Sequence, residues 1–132
     1  MKEPLIVMLG LILLMFVAAF CVRMYSVIIG KVTLNHYKTF SEKTEPEYVT
    51  KTINNLNNQF QLPLLFVCAC VLAIALKIET PGVIFNAWAF VICRVAHSIV
   101  HITVNIVLLR SVVFAVGFYF LASIWHQIYL QS

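Results

Sequence analysis

Polar residues that can bind an anion interrupt apolar sequence in the last third of the chain. They are Arg94, His97, Ser98, His101, Asn105, Arg110 and Ser111. At membrane depth such groups are costly and usually face a site or a partner. For His101 or Asn105 alone, the favoured interpretation is a hydrogen bond that joins two helices.

The two arginines require more than a contact between helices. A buried guanidinium without a carboxylate needs another anion or many carbonyl oxygens. Neither Asp nor Glu occurs within a predicted membrane span, so we expect the anion near Arg94 and Arg110 to be a ligand.

A metal site is the main alternative for the same segment, because Cys93, His97 and His101 recur at steps of four residues. The pattern lacks a carboxylate and a fourth ligand, and Arg94 and Arg110 would repel a cation. We therefore expect no metal site, and a haem-ligating histidine pair is no better supported. A small proton-coupled exporter of cations would need a carboxylate inside the membrane, which the predicted spans lack.

The composition indicates which elements must position these residues. Of 132 residues, 62% are hydrophobic and 11% are charged, and the mean hydropathy is +0.96. These values lie outside the range of an ordinary soluble domain. A membrane-spanning helix needs about 20 apolar residues, and four such runs are present, at 5–29, 60–78, 83–104 and 111–130. We therefore predict an all-α integral membrane protein, one four-helix bundle over residues 1–132.

The distribution of positive charge predicts how the spans are oriented. The connection at 31–59 contains Lys31, Lys38, Lys43 and Lys51, and Arg110 lies between the last two spans. The opposite side has only Lys2 and Lys77. By the positive-inside bias, the 31–59 loop is cytoplasmic and both termini lie on the opposite side of the membrane.

Helical periodicity places the polar residues at one end of this bundle. From about residue 47 a polar stripe recurs at three- or four-residue steps, formed by Lys51, Asn54, Asn55 and Asn58. The second helix thus begins before its apolar run, and Pro63 should loosen it near Gln61. In the third span a narrow sector contains Arg94, Ser98, His101 and Asn105, with His97 at its margin. Arg110 and Ser111 lie at the start of the fourth span. The polar parts of the second, third and fourth helices therefore converge near the cytoplasmic interface.

These residues resemble the MAPEG family, the membrane-associated proteins in eicosanoid and glutathione metabolism, which include microsomal glutathione transferases and prostaglandin E synthase. The run from Arg94 to Ser98, a polar residue at 101, and Arg110 followed by Ser111 match the family signature of helices three and four. The run from Asn58 to Pro63 looks like the opening of helix two, especially in bacterial members. The resemblance covers nearly the whole chain.

The resemblance implies a homotrimer of four-helix bundles that binds glutathione as co-substrate between subunits, near the cytoplasmic face. Arg110 is the implied stabiliser of the glutathione thiolate, and Ser111 is the neighbouring hydroxyl. The predicted glutathione-binding residues are Arg94, His97, His101, Asn58, Gln61, Asn54 and Lys51. A thiol with a pKa of about 8.5 is only a few per cent ionised at neutral pH, and an adjacent arginine lowers that pKa. A hydrophobic electrophile or lipid would enter from the bilayer, and nucleic acid is not an expected partner.

Several charged positions of the family are neutral in this chain. Thr33, Asn54 and Asn57 stand where members of the eicosanoid branches have arginine, and Gln61 stands where the family has an acidic residue. Two hydroxyl groups of the family are also missing: His101 stands in place of a tyrosine, and the aromatic residue after Ser111 is Phe114. If each missing charged contact contributes about 1.5 to 3 kcal/mol, losing three weakens binding roughly a thousandfold or more. Lys31, Lys38 or Lys51 would have to compensate. Two hypotheses follow: a glutathione-dependent transferase or peroxidase acting on hydrophobic electrophiles, and a non-catalytic binding or scaffold protein with a degenerate glutathione site.

Overall fold

Four helical segments of the computed structural model are long and apolar enough to cross a membrane. The structure describes residues 1–39 and 45–131, so Lys43 lies outside it. No strand occurs among the described residues, and the helices are α1 (Lys2–Ile28), α2 (His36–Thr39), α3 (Glu47–Gln59), α4 (Leu62–Ala75), α5 (Pro81–Ile102) and α6 (Val107–Gln131). Together α3 and α4 form one of the four spans. The prediction of an all-α integral membrane fold with four spanning helices is confirmed.

Two of the spans are apolar on nearly every side. In the most apolar stretches of α1 and α6, only 17% of the residues are buried within the chain. In α1 the buried side chains include Met8, Met15 and Ala19, whereas Leu13 and Phe20 are exposed. A helix that is apolar all round belongs in lipid or against other helices. The bilayer, more than packing within one chain, therefore holds α1 and α6 in their helical state.

The second span is interrupted near Pro63, as expected from the sequence. Helix α3 ends at Gln59, α4 begins at Leu62, and the main chain turns at Phe60 and Gln61. Proline has no N–H to donate, so it fits the first turn of a helix but not its interior. Pro63 lies in the first turn of α4. The interruption therefore separates a polar helix, α3, from an apolar one, α4.

The connection between α5 and α6 differs from the sequence prediction. The sequence predicts a third span to residue 104 and a fourth from residue 111, but α5 ends at Ile102 and α6 begins at Val107. Arg110 lies in the first turn of α6, where its N–H donates to the Ile106 carbonyl oxygen at 3.0 Å. Asn105, predicted on the polar face of the third helix, lies in the loop at a φ of +48°. Apolar run length could not show this, because the loop itself contains aliphatic residues.

An apolar core joins α4, α5 and α6. Phe66 of α4 stacks on Phe90 of α5 with ring centroids 4.5 Å apart, and both side chains are buried. Gly117 allows α6 to approach α5 closely, since a Cβ at this position would lie 3.4 Å from the Cβ of Cys93. Arg94 follows Cys93 directly in the chain. The core therefore determines the height at which α5 presents its polar residues to α3 and α6.

Candidate functional site

A cavity opens where the α3–α4 interruption, the second half of α5 and the start of α6 meet. Its volume is about 260 Å³, and it is lined by Asn58, Gln61, His97, Arg110, Ser111 and Phe114. All of these except Phe114 belong to the predicted site. Residues distant in the sequence meet here because the turn at Phe60 and Gln61 ends α3 beside the polar part of α5.

Arg110 provides the positive charge of this cavity. Its Nη1 donates to Asn105 Oδ1 at 3.0 Å and contacts His101 Nε2 at 3.1 Å. A guanidinium has no acceptor atom, so His101 Nε2 must accept and the neutral imidazole carries its proton on Nδ1. No hydrogen bond joins Nε or Nη2 of Arg110 to a described residue. The guanidinium is therefore held along one edge and has donors left for another group.

His97 and Ser111 line the cavity beside Arg110. His97 Nδ1 lies 3.1 Å from the Arg110 carbonyl oxygen. A carbonyl oxygen can only accept, so Nδ1 donates, which leaves Nε2 of the neutral ring as an acceptor without a partner among the described residues. The Ser111 hydroxyl donates to the Val107 carbonyl oxygen at 2.8 Å. The described side chains also include no group of three His, Cys, Asp or Glu placed to hold a metal ion.

Arg94 lies behind the cavity instead of lining it. The side chain is 1% exposed, and Nη2 donates to the Asn58 carbonyl oxygen at 3.1 Å. Carbonyl oxygens in the last turn of a helix have no N–H partner within that helix, so Arg94 satisfies a group at the end of α3. Its guanidinium carbon also lies 5.5 Å from the centre of the Phe114 ring. Arg94 thus supports two residues of the cavity wall.

Besides Arg94, three predicted binding residues do not line the cavity: His101 contacts Arg110 from outside the lining, and Lys51 and Asn54 lie farther along α3. Lys51 Nζ pairs with Glu47 Oε1 at 2.8 Å, and Asn54 is exposed on α3. Both lie at least one turn before Asn58, and each turn of an α-helix raises the chain by about 5.4 Å. Thr33 and Asn57 are also exposed and do not line the cavity. Lys51 and Asn54 lie too far along α3 to line the cavity, Asn57 projects to a different side of that helix from Asn58, and Thr33 lies in the connection after α1.

A buried chain of polar contacts that joins α1, α3 and α5 was not among the predicted site residues. Gln59 Nε2 donates to Ser98 Oγ at 2.9 Å and to Asn55 Oδ1 at 3.3 Å. Asn55 Nδ2 in turn lies 3.1 Å from the sulfur of Met15. Asn55 and Gln59 are fully buried. Their four-residue spacing was the available signal, although the sequence could not show which side of α3 faces inward.

The electrostatics of the cavity follow from these placements. It is lined by one guanidinium, one imidazole, two amides, one hydroxyl and one aromatic ring, and none of its lining residues is acidic. A second guanidinium, that of Arg94, is buried directly behind it. Side-chain amides can donate and accept, whereas guanidinium groups only donate. The arrangement is suited to an anionic ligand that also carries amide or hydroxyl groups.

Comparison with known proteins identifies the family. The sequence model of the MAPEG family matches residues 4–130, which is nearly the entire chain. Searches of curated proteins and of solved structures give no match. The match extends across all four spanning segments and every residue that lines the cavity. The chain therefore belongs to the MAPEG family.

Proposed function

We propose that this protein is a glutathione-dependent membrane transferase or peroxidase for hydrophobic electrophiles, in which Arg110 stabilises the glutathione thiolate. One observation carries the proposal: Arg110 lines a cavity whose lining contains no acidic residue. Its charge is therefore not cancelled by an ion pair within the cavity. Family membership is consistent with this class of activity.

The chemistry requires an ionised thiol. Only the thiolate is an effective nucleophile, and a neighbouring guanidinium lowers the pKa of a thiol because it stabilises the charged form. In conjugation the sulfur forms a bond to an electrophilic carbon while a leaving group such as chloride departs with its electron pair. In peroxide reduction the sulfur attacks the terminal oxygen, and the O–O bond breaks as an alcohol or water leaves, which gives glutathione sulfenic acid. A second glutathione then displaces water from this sulfur and forms glutathione disulfide.

The remaining residues of the cavity would bind the rest of glutathione. Asn58 and Gln61 offer amide groups to its peptide units, and the His97 ring forms part of the cavity wall with its Nε2 buried. Ser111 is the hydroxyl nearest to Arg110 in the chain, and it can donate to the thiolate only by leaving the Val107 carbonyl oxygen. In this proposal Arg110 acts on the reacting sulfur, Ser111 assists it, and the amides orient the co-substrate.

The surface beside the cavity supports a hydrophobic second substrate. The first turns of α6 expose Val107, Leu108 and Val112, which flank Arg110 and Ser111 in the sequence. An electrophile dissolved in the bilayer could therefore approach the thiolate without crossing water. We also propose the homotrimer that membership of the MAPEG family implies. It is compatible with α1 and α6, which bury few residues within one chain and leave apolar surface for lipid or neighbouring subunits.

The direct test uses the purified, folded oligomer with glutathione and a chlorinated aromatic compound. We expect thiolate absorbance on glutathione binding and formation of the conjugate. Arg110→Ala should abolish both signals, while Lys77→Ala, remote from the cavity in the sequence, should retain them. Circular dichroism and size-exclusion chromatography of each variant would show that the comparison is made on folded protein. Absence of both signals from the folded wild-type oligomer would reject the proposal.

A binding or scaffold role on the same fold is the second candidate. It is favoured by the exposed, neutral Thr33, Asn54 and Asn57, which lie away from the cavity and add no positive charge to it. In this case the arginines would bind another anion, such as a lipid headgroup. The thermal midpoint would then rise with anionic lipid but not with millimolar glutathione. A glutathione-dependent rise would instead support the enzyme.

A further inference from the structure

Among the described residues, two side chains accept hydrogen bonds from the Arg110 guanidinium, and both are uncharged. Asn105 Oδ1 accepts from Nη1 at 3.0 Å, and His101 Nε2 lies 3.1 Å from the same nitrogen. None of the four glutamates that the structure describes contacts Arg110: Glu79 pairs with the N-terminus, Glu47 pairs with Lys51, Glu45 lies 3.4 Å from His36, and Glu3 belongs to the first turn of α1. Arg110 is thus oriented by hydrogen bonds while its charge remains uncompensated.

Orientation of Arg110 by neutral groups has an electrostatic consequence for any anion in the cavity. A carboxylate in place of Asn105 would hold the guanidinium equally well, but its negative charge would cancel much of the field that a thiolate experiences. A neutral acceptor orients the guanidinium without this cancellation. Hydrogen bonds that involve a charged group are also stronger than those between neutral groups, so two neutral acceptors can restrain the side chain.

The backbone at Asn105 places one of these acceptors. This residue has a φ of +48°, a left-handed conformation that asparagine adopts more readily than most residues. Its N–H donates to the Val100 carbonyl oxygen at 2.8 Å, which ties the loop back to the end of α5. The loop conformation therefore directs the Asn105 side chain toward α6, and His101, in the last turn of α5, meets the same nitrogen of Arg110.

We propose that His101 and Asn105, here called the neutral pair, are positioning residues that hold Arg110 along its Nη1 edge and leave its charge for the co-substrate thiolate. The part that concerns the thiolate rests on the function proposed above. The restraint of the guanidinium does not rest on that function, because rotation of the Arg110 guanidinium can be measured without glutathione. Neither residue of the neutral pair lines the cavity, so both act through Arg110.

The restraint on Arg110 is tested by nuclear magnetic resonance of the intact oligomer with ¹⁵N-labelled arginine. The chain has three arginines, Arg23, Arg94 and Arg110, and Arg110→Lys assigns the relevant signals. We expect slow rotation of the Arg110 guanidinium in the wild type and in Asn105→Asp. We expect fast rotation in Asn105→Gly, which keeps the left-handed backbone without strain, and in His101→Leu. Fast rotation in the wild type would overturn the proposal.

The charge effect is tested by thiolate absorbance of bound glutathione and by kcat and KM for conjugation. Loss of one hydrogen bond to a charged group should lower kcat about tenfold or more in Asn105→Gly and His101→Leu. His101→Gln, whose carbonyl oxygen can replace the imidazole acceptor, should recover most of the loss. Asn105→Asp should lower the thiolate fraction about tenfold despite its restrained guanidinium, because a nearby negative charge raises the pKa of the bound thiol.

Thr103→Ala is the matched control, since Thr103 lies in the same loop and bonds only to the Ile99 carbonyl oxygen through its hydroxyl. It should match the wild type in every measurement. Wild-type thiolate and kcat in Asn105→Gly, or an undiminished thiolate in Asn105→Asp, would overturn the proposed role toward the thiolate. Slow guanidinium rotation in a wild type that shows no thiolate would retain the positioning role and reject the glutathione function.

Discussion

Arg94 Nη2 donates to the Asn58 carbonyl oxygen at 3.1 Å and thereby joins α5 to the last turn of α3. The side chain is 1% exposed, and its Nε and Nη1 have no partner among the described residues. Unsatisfied buried donors on a charged group cost free energy, whereas the alkyl stem and the contact with the Phe114 ring stabilise the fold. Two substitutions can separate these opposing effects.

Arg94→Ala should lower the free energy of unfolding by about 2 to 4 kcal/mol, because it leaves a cavity at a buried site. Arg94→Met should recover at least half of that loss, since methionine fills much of the volume without a buried charge. Denaturant titration of the oligomer in detergent measures both values. Equal destabilisation by the two substitutions would show that the charge of Arg94, and not its volume, stabilises the fold.

The contact between Gln59 and Ser98 should be measurable as a coupling between α3 and α5. Interhelical hydrogen bonds in membranes average about 0.6 kcal/mol, with a maximum near 1.7. A double-mutant cycle with Gln59→Leu and Ser98→Ala should give a coupling energy in this range. Ser123→Ala, which removes a hydroxyl bonded only to its own helix at Tyr119, provides the control and should show no coupling to Gln59. Zero coupling between Gln59 and Ser98 would contradict the contact.

Gln61→Glu should strengthen glutathione binding if the proposed function holds. Gln61 lines a cavity without an acidic residue, so the glutathione ammonium has no carboxylate partner there. A partly exposed ion pair contributes up to about 1 kcal/mol, which corresponds to roughly fivefold tighter binding. Calorimetric titration should show this gain for glutathione but not for its N-acetylated form. Asn54→Glu, which adds the same charge outside the cavity, should leave both affinities near the wild-type values.

The positive-inside bias predicts that the 31–59 connection is cytoplasmic and that both termini lie on the other side. In a background with the native cysteines replaced, a membrane-impermeant thiol reagent should label Gln131→Cys in intact cells. The same reagent should label Asn54→Cys only after the membrane is opened. Asn54 and Gln131 are both exposed, so access to the reagent depends on the side of the membrane and not on burial. The reverse labelling pattern would establish the opposite orientation.

The spans of this protein could be predicted from the sequence, because the need to keep main-chain groups hydrogen-bonded in lipid restricts long apolar runs to helices. The interruption near Pro63 was predictable for a similar reason, since proline cannot donate within a helix. Helix ends were less predictable. Val104 and Ile106 are as apolar as span residues, so only the structure shows that Asn105 lies in a loop and Arg110 in a helix.

Some features of the candidate site could likewise be predicted from the sequence, whereas others depend on the tertiary structure. Residue types and spacing alone indicated that Arg94, His97 and Arg110 belong to one polar region, because charges inside apolar spans must face protein or ligand. Only the tertiary structure decided that Arg110 lines the cavity, that Arg94 supports it from behind, and that Lys51 and Asn54 lie away from it. Helical periodicity defines the faces of one helix, whereas the depth and rotation of that helix depend on packing against its neighbours, here through the close approach of Gly117 to Cys93.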